Sequence, residues 1–150
     1  MAKPRTKAWL LALLVGLTPL VASAIEYRSV AAAKAVLYDA PSAQGKKLYV
    51  VSQGYPVEII VNLGDWLKIR DNNGSLSWIE AKQLGTKRTV LVVQPQVEMR
   101  QAADAASGLV AHLEKDVVVD LIEAPGNGWV KVKHRDGLVG YIPTAAVWGL

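Results

Sequence analysis

The chain contains one stretch twice. The segment WLKIRDNNGSLSWI at 66–79 aligns without a gap on WVKVKHRDGLVGYI at 129–142, an offset of 63 residues that sets Gly74 on Gly137, Trp78 on Tyr141 and Ile79 on Ile142. Upstream, LYDA (37–40) falls on MRQA (99–102), and Glu58, Ile59 and Ile60 fall on Asp120, Leu121 and Ile122, at an offset of 62. One residue is therefore inserted in the second copy, near Pro125 and Gly126. A doubled unit of about 60 residues argues against one large core. Each copy must close its own, and small units bury a low fraction of their surface, so the two are expected to pack on each other.

Within each copy, short alternating runs are separated by turn residues, which is the pattern of half-buried strands. The first copy predicts strands at 35–38, 48–52, 57–62, 66–70 and 76–79; the second predicts them at 96–100, 110–113, 117–123, 129–133 and 138–142. Asn73-Gly74 and Asp136-Gly137 supply the left-handed residues of tight hairpins, and Gly64-Asp65 and Gly126-Asn127-Gly128 supply the preceding reversals. Residues 81–84 and 144–147 each have room for one helical turn. Five strands per unit with successive hairpins describe a small barrel. Segments 39–47 and 101–108 are long and polar, and loops held on a rigid barrel commonly carry binding groups.

The first residues are of another kind. Lys3, Arg5 and Lys7 precede an apolar run, 8–17, and the small residues Val21, Ala22, Ser23 and Ala24 form an A-x-A cleavage pattern. The expectation is a signal peptide over 1–24 and a mature chain from Ile25. The apolar run is shorter than the roughly 20 residues that span a bilayer. Membrane contact is thus expected only in transit, with the periplasm as destination.

Removing that segment changes the electrostatic reading. The whole chain carries +4, but residues 25–150 have 14 Lys and Arg against 13 Asp and Glu. A split near Arg88 leaves +3 and −2, with no concentrated basic patch for a phosphate backbone, so nucleic acid is not an expected partner. There is no cysteine, hence neither a disulfide nor a thiolate metal site.

The order VLYDAP (36–41), long loop, G-x-P-V-E-I (54–59), WLKIR, NG and SWI resembles the bacterial SH3-like family, and the second copy repeats it as VEMRQA, VVVDLI, WVKVK, DG and GYI. The second copy departs at Ala103, where the first has a proline, and at Asp116, where the first has Gly54. The resemblance implies an all-β chain: two tandem small SH3-like β-barrels, at 25–87 and 88–150, preceded by a signal-peptide helix. It also implies a non-catalytic module for peptidoglycan or for an envelope peptide or protein. The alternative is a structural or assembly protein of the envelope that acts through protein–protein contacts of its barrels.

Alternation puts Leu67 and Ile69 on one face of their strand and Trp66, Lys68 and Arg70 on the other. Trp66 is then either a lid on the barrel end or a platform for a sugar or peptide, and Trp129, beside Lys131 and Lys133, obeys the same geometry. Grooves that read extended peptides are aromatic-lined, which adds Tyr38, Tyr49, Tyr55, Trp78 and Tyr141. Arg100, aligned on Tyr38, completes the ligand-binding candidates. Only His112 and His134 are histidines, and no His-rich metal spacing, Ser/His/Asp set, carboxylate pair or phosphate loop accompanies them. No catalytic residue, metal or cofactor is expected.

Overall fold

The computed structural model describes residue 2 and residues 24–150; the expected signal-peptide helix falls outside the described residues. Those residues form two seven-stranded antiparallel sheets, one from each repeat. The first comprises β1 (Glu26–Val30), β2 (Lys34–Tyr38), β3 (Lys47–Ser52), β4 (Pro56–Asn62), β5 (Trp66–Arg70), β6 (Leu76–Glu80) and β7 (Leu84–Gly85). The second comprises β8 (Thr89–Val92), β9 (Gln96–Arg100), β10 (Leu109–Glu114), β11 (Val118–Gly126), β12 (Trp129–Lys133), β13 (Val139–Pro143) and β14 (Val147–Trp148). The sheet orders, β3-β2-β6-β5-β4-β1-β7 and β10-β9-β13-β12-β11-β8-β14, are the same order repeated. The helical turns are single 3-10 turns, Ala81–Gln83 and Thr144–Ala146. No helix among the described residues is long and apolar enough to cross a membrane.

Hairpin chemistry fixes the meander. Gly74 and Gly137 take φ of 84° and 91° at the two Asx-Gly reversals, a region that costs an L side chain and not glycine. At the turn before β4 the first repeat uses Gly54, φ 86°, and the second carries Asp116 at φ 67°. The inserted residue of the second repeat is taken up in the β11–β12 ribbon. There the register shifts twice, between Leu121 and Glu123 and between Glu123 and Gly126, against one shift between Ile59 and Val61 in the first.

Each sheet closes on its own core. Leu37, Val57, Leu67, Ile69 and Ile79 fill the first, and their repeat partners Met99, Val119, Val130, Val132 and Ile142 fill the second. Removing one such side chain from water is worth roughly 1.5–3 kcal/mol. The alternation in β5 and β12 is the expected one, with Leu67, Ile69, Val130 and Val132 buried and the intervening residues at least partly open.

The barrels also pack on each other. β8 is buried along its whole length because Val90 and Val92 enter the second core while Thr89 and Leu91 face the other way. Thr89 Oγ1 donates to the Gly54 carbonyl of the first barrel at 2.6 Å. Within the first unit, Ser29 Oγ donates to the carbonyl of Lys87, at the start of the joint. Arg88 Nη2 is held within the second unit by the Gly149 carbonyl at 2.8 Å, to which it donates, and its guanidinium reaches across to lie 5.6 Å from the centre of the Tyr27 ring. Tyr27 meets Trp148 edge to face, at 5.2 Å and 86°.

Candidate functional site

The sequence candidates fall into three places. On the outer face of the first barrel, the register aligns Tyr38 of β2 with Trp78 of β6 and Trp78 with Lys68 of β5. The Lys68 ammonium lies 5.8 Å from the Trp78 ring centre, within reach of its negative face. Trp66 and Trp78 are half-buried, so each presents part of its ring to solvent. Tyr38, one of the candidate aromatics, is largely covered. Only 8% of it is exposed, because the Trp66 indole packs edge-on against it at 5.4 Å and 84°.

The second barrel repeats the row with different chemistry. Arg100 of β9 aligns with Tyr141 of β13, and Tyr141 with Lys131 of β12, whose ammonium is again 5.8 Å from the ring. Lys131 also pairs with Glu123 at 2.7 Å, and that hydrogen-bonded carboxylate raises the lysine pKa. In the first barrel Lys68 lies opposite Val61 and forms no ion pair among the described residues. A hollow of about 140 Å³ lies beside Trp129, Lys131, Tyr141, Glu123 and Asn127. Arg100 is half-buried and held from two sides, donating from Nη1 to the Ser107 carbonyl at 3.0 Å and pairing with Glu98. It therefore ties the loop 101–108 to its strand.

Tyr49 and Tyr55 line a third place, a groove of about 280 Å³ between Leu37, Val51, Asp71 and Ser75. Tyr49 and its neighbour Val50 are each 63% exposed on β3, an edge strand of the first sheet. The Tyr55 hydroxyl donates to Asn72 Oδ1 at 2.6 Å, and burial pushes its phenol pKa up. The second barrel has Ala111 and Val117 at these positions, so the aromatic groove belongs to the first repeat alone.

The remaining large hollow was not foreseen from the sequence. It is a cleft of about 950 Å³ where the barrels meet, lined by the charged residues Lys87, Asp116, Asp120, Lys133 and Arg135 and by His134. Its residues come from both repeats and the linker between them, so no local motif marks it. His134 lies in the β12–β13 turn with Nδ1 3.1 Å from Asp136, and His112 is exposed on β10. Among the described residues no group of three His, Asp or Glu is placed to hold a metal ion.

Comparison with known proteins identifies one family model. A family model described as the bacterial SH3 domain matches residues 31–85 and again 93–149. No curated protein sequence matches the chain. Similar solved structures include NlpC2 from Trichomonas vaginalis, at 14% identity and a TM-score of 0.38, covering 83% of this chain and 48% of that one. Another is an NlpC/P60 family protein from Bacillus cereus, at 14% identity and a TM-score of 0.38, covering 82% of this chain and 56% of that one. The chain spans about half the length of these solved chains.

Proposed function

The chain belongs to the bacterial SH3 domain family, and we propose that it acts as a non-catalytic, exported binding module that recognises peptidoglycan or an envelope peptide. In this reading residues 1–24 direct export to the periplasm and are removed there, and residues 25–87 and 88–150 are the two binding units. The observation that carries it is the duplicated outer row. In each barrel a lysine sits over an aromatic ring beside a half-buried tryptophan, as Trp66, Lys68 and Trp78 in one and Trp129, Lys131 and Tyr141 in the other. A partly open indole beside an ammonium offers apolar area to a sugar or peptide face and charge to its carboxylates.

The test is retention on purified sacculi at moderate salt, with folding of each variant checked by circular dichroism. The full chain is expected to be retained, and Trp78→Ala combined with Tyr141→Ala to weaken retention by about tenfold or more, as loss of central aromatic contacts does. No retention, or retention that survives the double substitution, overturns this reading.

A further inference from the structure

We propose that the cleft between the barrels is a second binding site, separate from the outer rows, for a short peptide carrying both a free ammonium and a free carboxylate. Its volume, about 950 Å³, is at the upper end of the roughly 300–1,000 Å³ of small-molecule sites. Lys87 and Asp120 satisfy each other at 2.9 Å. Asp116, Lys133 and Arg135 also line the cleft and form no ion pair among the described residues, with each other or with any other group. These three unpaired charges, of both signs, therefore line one concave space. A ligand that brings an ammonium to Asp116 and a carboxylate to Lys133 and Arg135 complements both, whereas an ion of either sign complements only one.

The backbone at Asp116 supports the assignment. The position is left-handed in both repeats, and the first repeat fills it with glycine, which adopts that conformation at no steric cost. The second repeat keeps a carboxylate there, at φ 67°, on the cleft wall. The two barrels approach closely at the cleft, where a Cβ placed on Gly54 would lie 3.3 Å from Val118 Cγ1.

The experiment is amide NMR of the full chain titrated with di-, tri- and tetra-alanine, each as the free peptide, the N-acetyl peptide and the C-terminal amide. At least one free peptide is expected to give saturable shifts at Gly54, 116–118 and 133–135. Blocking either end should weaken it about tenfold, the scale of one charge-assisted hydrogen bond. Asn tolerates the left-handed backbone, so Asp116→Asn keeps the fold and should reduce the free peptide to the affinity of its N-acetyl form. Trp78→Ala with Tyr141→Ala should leave these shifts in place. Absence of saturable shifts at those amides up to about 10 mM, or equal affinity for free and blocked peptides, overturns the proposal.

Discussion

Two positions show how the repeats solve one packing problem in different ways. Where the first repeat has Leu37 and Ser77, the second has Met99 and Gly140, and the longer methionine occupies the space that a side chain at 140 would need. A Cβ on Gly140 would come within 2.5 Å of Met99 Cγ and 2.7 Å of the Arg100 carbonyl, and Met99 is fully buried. Gly140→Ala is therefore expected to cost about 1–3 kcal/mol in denaturant unfolding, as overpacking does. Met99→Leu should return part of that loss in the double variant, a coupling that a thermodynamic cycle measures directly. A full additive loss would mean that the backbone contact, not the methionine, sets the limit. Single positions were also where the sequence was least informative about the site. Tyr38 has the residue type of a binding aromatic, yet it follows Leu37 as a second consecutive buried residue, and only the fold reveals that Trp66 covers it.

At the level of elements, strands with a clean alternation were legible. Residues 66–70, 96–100 and 129–133 lie where the pattern put them, because each has one face in a core and one in solvent. β1 and β8 were not foreseen. β8 reads TVLV with no polar face because the face turned from its own core meets the other barrel. β1 mixes Glu, Tyr, Arg and Ser without alternating burial, and its Tyr27 serves the joint. Another link between elements is Tyr55, which ties the turn before β4 to the β5–β6 turn through Asn72. Tyr55→Phe should cost about 1 kcal/mol at neutral pH. Its pH dependence is a second readout. Burial holds the folded phenol pKa above the ordinary 10.0, so stability is complete below pH 10.0 and falls as pH rises above it and the unfolded chain ionises first. Tyr27, raised mainly by burial, adds to the same slope. Alkaline unfolding curves should therefore be flatter for Tyr55→Phe, and an unchanged slope would exclude Tyr55 as a contributor.

The whole molecule is defined by the joint. Two barrels of this size with no disulfide gain from sharing an interface, and Thr89, Arg88, Tyr27 and Trp148 provide it. Calorimetry is expected to show a single unfolding transition for the intact chain. Tyr27→Ala with Trp148→Ala removes an edge-to-face pair worth about 0.5–1.5 kcal/mol beyond its buried area and should resolve two transitions. One sharp transition in the double variant would mean that the Thr89 hydrogen bond to the Gly54 carbonyl suffices to couple the barrels. Sequence reasoning anticipated that the repeats would touch, from their size, but not where, because the contacts join residues that lie about 35–120 positions apart in the chain. The same joint has a further consequence: it sets the distance between the two outer rows as a calliper does. A flexible tether would let two weak contacts find epitopes at many spacings, whereas a fixed span multiplies affinity only on a target whose repeat matches it and gives no avidity elsewhere.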